Sequence, residues 1–107
     1  MSDKLIYLAS PYSDADPAVE RLRFEAVCAA AALLIRNGVL VFSPIAHSHP
    51  IALCYQTPKK DWAFWAHLDR ALLRRCDEVW VLMLPGWERS FGVRAELRLA
   101  HEYGKPV

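Results

Sequence analysis

Two acidic residues stand in helical stretches at positions where a charge is out of place. In SFGVRAELRLAHEYGKPV, Glu96 lies beside Val93, Leu97 and Ala100, which recur at helical spacing, while Arg94, Arg98 and Glu102 recur on the side expected to face water. Gly92 precedes Glu96 by one turn. Helical side chains lean toward the N-terminus, so the carboxylate is expected to point back over a position that carries no side chain. Asp69 falls inside a second apolar line formed by Trp62, Trp65, Leu72, Leu73 and Cys76. Burying an unpaired charge costs several kcal/mol, so such a carboxylate needs a partner or a task. Two inward carboxylates at one crevice equip a protein for glycosidic chemistry. One attacks or stabilises the anomeric carbon and the other assists the leaving group, about 5 to 5.5 Å apart in the retaining form. The plainer readings are a solvated helix glutamate and a structural aspartate bonded to loop amides.

Other side chains fit around that pair. Tyr7, at the end of an apolar run, could hydrogen-bond the nucleophilic carboxylate or simply fill the core. Ser10 and Ser90 could donate to a sugar hydroxyl or a phosphate, and Ser90 also reads as a helix N-cap with free amides beside it. Tyr12 sits in the same first loop as Ser10. Trp87, in a glycine turn, could stack on a nucleobase, whereas Trp62 and Trp65 have the spacing of core residues. His47-Ser48-His49, with Cys54 and His67, matches no standard zinc spacing and is followed at once by Pro50. His47 is therefore expected to contact substrate, and no metal is expected. There is no GxxxxGK[ST], GxGxxG or GxSxG, and no Cys-His signature, so no nucleotide cofactor is expected.

The elements that must position these residues centre on Cys76 to Val107. Val79 to Leu84 is a continuous apolar run, as a strand buried on both faces requires. Pro85-Gly86 breaks it, and Ser90 caps a helix starting near Phe91. Earlier in the chain, Leu5 to Ala9 reads as the first strand and Ser10 to Asp14 as a turn, with Asp16-Pro17 opening a helix. Val19, Leu22, Ala26, Ala30, Leu33 and Leu34 form that helix's expected inner side, Asn37-Gly38 stops it, and Val39 to Phe42 reads as a second buried strand. From Ser43 to about Pro58 no periodicity shows beyond a possible helical turn at Ile51 to Tyr55, as in a lid or binding loop. A further helix is expected from Asp61 to Arg75, and Lys105-Pro106-Val107 as the first step of a fourth strand. This alternation predicts an α/β fold: a flavodoxin-like three-layer sandwich with a parallel sheet, right-handed crossovers, strand order 2-1-3-4 and a truncated last strand. Its switch point, between strands one and three, brings Tyr7 to Tyr12 beside Pro85 to Glu96.

The chain has 107 residues, enough for one domain over 1–107 with a real core. Hydrophobic residues at 54%, charged residues at 23% and a net charge of +1 describe a globular chain with no electrostatic case for a nucleic-acid polymer or a membrane surface. No stretch reaches membrane-spanning length. Three widely spaced cysteines, Cys28, Cys54 and Cys76, point to reduced thiols and a cytoplasmic protein.

The combination of IYLASPY, the aspartate of HLDRALLRRCDEVWVL, and SFGVRAELRLAHEYGKPV resembles the nucleoside 2-deoxyribosyltransferase-like superfamily. The resemblance covers most of the chain, including the order and spacing of its parts. SPIAHSHPI and LPGWERS make it look closest to a small bacterial branch. The resemblance implies that Glu96 is a nucleophile, that Asp69 assists the leaving base and that Tyr7 positions Glu96. Ser90 and Gly92 then correspond to a turn contacting sugar or phosphate. Serine at 90 is similar to the nucleoside-monophosphate hydrolases, whereas the transferases commonly carry aspartate there. Those hydrolases also place a glycine and an arginine in the first loop for the 5′-phosphate, and Ser10 to Asp14 contains neither, so a phosphate preference does not carry over. The superfamily completes its site with C-terminal residues of a neighbouring subunit. That implies a homo-oligomer, and with the chain stopping at Val107 the last strand is expected as a stub. The expected function is cleavage or transfer at the N-glycosidic bond of a nucleoside or nucleotide through a covalent glycosyl-glutamate, with a small-molecule partner. The alternative is a nucleotide-binding or sensor module without catalysis.

Overall fold

The computed structural model of the protein describes residues 3–55 and 62–107. Three strands, β1 (Leu5–Ala9), β2 (Leu40–Phe42) and β3 (Glu78–Val81), form a parallel sheet in the order β2-β1-β3. The apolar run of β1 places it in the middle. Ile6, Tyr7, Leu8 and Ala9 are all buried, as a parallel strand covered on both faces demands. Side chains alternate along a strand, so the sheet divides the core in two. Tyr7 and Ala9 pack with Val79, Leu73, Cys76, Leu99 and Ala100. Leu8 packs on the other side with Val27 and Ala31.

The helices start and stop where their caps allow. The side chain of Asp16 accepts from Ala18 N at 2.9 Å, and Pro17 opens α1, Pro17–Arg36. Asn37 and Gly38 end it, with Gly38 at a φ of 84°. Ser43 caps α2, Pro44–Cys54, accepting from Ala46 N at 3.0 Å. Helix α3 spans Trp62–Arg75, and Ser90 caps α4, Phe91–Glu102, through a 3.2 Å bond from Val93 N. Helices α1 and α2 pack together, as do α3 and α4. The α/β architecture and the open parallel sheet are as expected and are compatible with a flavodoxin-like fold.

Four expectations need correction. The segment after Ser43 is a helix, α2, rather than an irregular loop; the expected continuation to Pro58 falls on 56–61, outside the described residues, as do Asp61 and the side chain of Trp62. The inner face of α1 is set by Val27 and Ala31, while Leu22 and Leu33 face solvent at 63% and 59% exposure. Strand β3 ends at Val81. Leu82 still donates its amide to Ala9 O, but Met83 turns outward. Among the described residues there is no fourth strand. Val79 donates its amide to Pro106 O at 2.9 Å, which sets residues 105–107 beside β3 without forming a strand. No described helix is long and apolar enough to cross a membrane.

Candidate active site

The carboxyl ends of β1 and β3 lie side by side, and the chain leaving each of them walls a cavity of about 480 Å³, within the range of small-molecule sites. Ser10 and Tyr12 come from the loop after β1, and Gly86 from the turn after β3. Asp69 arrives from α3, Glu96 from α4, and Ser48 and His49 from α2.

Glu96 is buried at 4% exposure, on the side of α4 that also buries Val93, Ala95, Leu99 and Ala100. Tyr7, fully enclosed beneath the sheet end, donates its hydroxyl to Glu96 Oε2 at 2.5 Å. Burial raises the glutamate pKa to about 8; the Tyr7 hydrogen bond opposes that rise and the charge of Asp69 adds to it. Asp69, at 7% exposure, is likewise raised by burial, to about 7. Its Oδ1 has no hydrogen-bond partner among the described residues. The same forces hold Tyr7 firmly protonated, with burial first and the Glu96 charge second. One wall thus carries two carboxyl groups that resist double ionisation and a phenol that favours the anion on one of them.

Ser10 is buried at 4% exposure and Ser48 is buried as well, and the Oγ of each lacks a hydrogen-bond partner among the described residues. Buried hydroxyls are ordinarily satisfied. With Asp69 Oδ1 they place three unanswered polar atoms around one cavity, which is the lining a polyhydroxylated ligand would use. Gly92 also lines it, and a Cβ there would meet only Ser90 Oγ, at 3.9 Å, so the space in front of Glu96 stays open. Tyr12 hydrogen-bonds His49 Nδ1 at 2.6 Å, and His49 stacks on Phe24 with ring centroids 4.0 Å apart.

The structure therefore brings Glu96, Asp69, Ser10, Tyr12, Ser90 and Gly92 to one cavity, with Tyr7 directly behind Glu96. Two candidates stand elsewhere. His47 is exposed and leans on Phe42; residues two apart on a helix project about 200° from each other, so His49 takes the place expected of His47. Trp87 is half-buried in a single 3₁₀ turn, Trp87–Arg89, and does not line the cavity, whereas Trp65 and Phe91 do. Ser48, Arg23 and Arg89 line it too and were not singled out from the sequence. The signal for Ser48 was Ser43-Pro44, a cap and first-turn proline of the same kind as Asp16-Pro17. Cys54 and His67 are exposed, and no group of three or more metal-ligating side chains occurs among the described residues.

No curated protein matches this sequence. A family model described as a domain of unknown function, DUF1937, matches residues 4–107, the span that contains every element and every residue of this cavity, and the chain belongs to that family.

Proposed function

We propose that the protein cleaves or transfers at the N-glycosidic bond of a nucleoside or nucleotide, with Glu96 as nucleophile and Asp69 as acid and base. One observation carries this reading: a buried glutamate held by a buried tyrosine hydroxyl shares a cavity with a second buried carboxyl whose Oδ1 is unpaired. Burial raises Glu96 further than Asp69, so the attacking form is the minor one in which the proton has passed to Asp69, and the Tyr7 hydrogen bond stabilises the Glu96 anion of that form. The glutamate oxygen that Tyr7 does not hold attacks C1′. The C1′–N bond breaks with its electron pair passing to the base nitrogen, which takes the Asp69 proton. The Asp69 carboxylate then removes a proton from water as its oxygen attacks C1′, and Glu96 leaves as carboxylate; a second base in place of water makes the reaction a transfer.

A panel of 2′-deoxynucleosides and their monophosphates, assayed chromatographically for free base, tests this. Base release that falls at least about a thousandfold in Glu96→Ala supports it; release that persists in Glu96→Ala, or its absence with every substrate, sinks it. The non-catalytic binding module is the second reading, favoured by burial that pushes both carboxyls toward their neutral forms. It predicts ligand binding without free base in wild type and variant alike.

The same reading includes the finer fold, a flavodoxin-like sandwich whose fourth strand would lie beside β3 where Val79 meets Pro106. It includes a homo-oligomer, supported by the solvent-facing Leu22, Ala29 and Leu33 on α1, and a cytoplasmic location, supported by three free thiols.

A further inference from the structure

The two helices that carry Asp69 and Glu96 turn those carboxylates inward, and what remains on their outer sides is strongly basic. Leu73 and Cys76 of α3 share one core cluster with Leu99 and Ala100 of α4, and the two helices also pack on each other, so their outer sides face the same way. Arg70, Arg74 and Arg75 are exposed on α3, and Arg94 and Arg98 on α4. Among the described residues of these helices the one exposed carboxylate is that of Glu102. The α1 side differs, because its exposed Arg21 and Arg36 are matched by Glu20 and Glu25. A net charge of +1 averages over these unlike faces, which is why it gives no case for a nucleic-acid polymer.

Arg70 and Arg74 lie one helical turn apart, as do Arg94 and Arg98. That is about 6 Å along each axis, on helices whose axes are about 8–10 Å apart. Like charges at such spacing repel, and the chain does not neutralise them. Among the described residues the ion pair found is Lys4 with Glu78, far from this face in the fold. Arg75 donates Nη1 to Ala71 O at 2.9 Å, and Arg94 uses Nε alone, donating to Glu88 O at 2.9 Å. Phe91 adds a second observation. It stands three residues before Arg94 in the first turn of α4, where such residues are neighbours, and is 68% exposed. An aromatic ring left in water beside a row of guanidinium groups is the lining of a single-strand site: bases stack on the ring and phosphates follow the cations. Guanidinium forks fit phosphate oxygens. A duplex keeps its base faces covered, and an acidic polypeptide brings carboxylates without a planar group for Phe91.

We propose that the outer side of α3 and α4 binds a single-stranded nucleic acid, with Arg70, Arg74, Arg94 and Arg98 on its phosphodiester backbone and Phe91 stacked on one base. Phe91 also lines the cavity, so the strand passes the cavity mouth. The inference does not rest on the glycosidic reading, and either can fail alone.

Fluorescence anisotropy with an end-labelled single strand of about 20 nucleotides, longer than one such site, tests this on the whole chain. DNA and RNA versions share the phosphodiester backbone, and binding of either supports the proposal. Four phosphate contacts predict a slope of about −3 for log affinity against log salt, so binding should weaken about fiftyfold between about 50 and 200 mM salt. Arg74→Ala combined with Arg98→Ala, one cation from each helix, should halve that slope and weaken binding about tenfold or more at low salt. Phe91→Ala should weaken it about fivefold or more while leaving the slope unchanged. Arg21→Ala combined with Arg36→Ala, on the α1 side, should change neither. All five positions are exposed, and the melting temperature checks that each variant is folded. No binding at low salt overturns the proposal, as does a slope that the Arg74 and Arg98 replacements leave intact or that the α1 pair lowers equally. Competition by polyglutamate of similar length as strong as by unlabelled strand also overturns it, and assigns the face to an acidic protein instead.

Discussion

At the scale of single residues the cavity stores an electrostatic cost that pH can reveal. Burial raises the Asp69 pKa from 3.8 to about 7 and Glu96 from 4.5 to about 8, so the folded chain binds protons there that the unfolded chain has already lost. For a group raised on folding, the stabilising contribution is complete below its unfolded pKa and disappears as pH rises through its folded one. Stability should therefore fall between about pH 4 and pH 8, by a few kcal/mol on the order of one unit's 1.36 kcal/mol per shifted pH unit. Asp69→Asn, uncharged and of the same shape, should flatten that slope. Chemical denaturation at pH 5.5 and pH 8.5 measures it, and a slope identical in wild type and variant would show that Asp69 ionises freely. These two carboxylates were legible in the sequence because each interrupts an apolar line. Arg23 and Arg89 were not, since an arginine on a helix or turn has the same pattern whether it faces solvent or a cavity.

At the scale of elements, caps were more legible than faces. Asp16-Pro17, Asn37-Gly38 and Ser90 mark helix ends through hydrogen bonds that depend on two or three adjacent residues, and all three are found. The face of α1 depends on size contrast, and CAAAALL offers little; Leu22 and Leu33 outweigh Val27 and Ala31 in hydrophobicity, yet the smaller residues fit against Leu8. Helix α2 went unread because Pro50 and two histidines interrupt its apolar positions, although a proline beyond the first turn is tolerated here. Helix α4 offers a direct test of what its glycine is for. Gly92 is helical and a Cβ there would touch only Ser90 Oγ, at 3.9 Å, so the fold has no steric need of glycine. Gly92→Ala should stabilise the protein by up to about 1 kcal/mol by reducing the freedom of the unfolded chain. The same methyl enters the space before Glu96 and should weaken ligand binding. A variant that melts higher and binds 2-deoxyribose 5-phosphate less tightly separates the two roles; one that binds equally well would show that the ligand does not approach α4.

At the scale of the whole molecule, the cavity is where otherwise separate halves meet. The sheet splits the core, with α3 and α4 on the Tyr7 face and α1 on the Leu8 face. Around the cavity that division vanishes: Arg23 comes from α1, Ser48 from α2, Asp69 from α3 and Glu96 from α4, all around the end of β1. A ligand that touches these residues ties both faces together and binds only the folded chain. Linkage then requires it to stabilise the entire domain, by about 2.7 kcal/mol at a free concentration one hundred times its Kd. For a domain of this size that is a rise in melting temperature of about 10–20 °C. Glu96→Gln, which on the proposed mechanism lacks the nucleophile and should leave a deoxynucleoside monophosphate intact, is the form in which to measure this by calorimetry. One transition moving as a unit is expected, because β1 belongs to both halves of the core. A split into two transitions, with only the α3–α4 portion shifting, would mean that the ligand leaves α1 and α2 untouched and that Arg23 and Ser48 play no part in holding it.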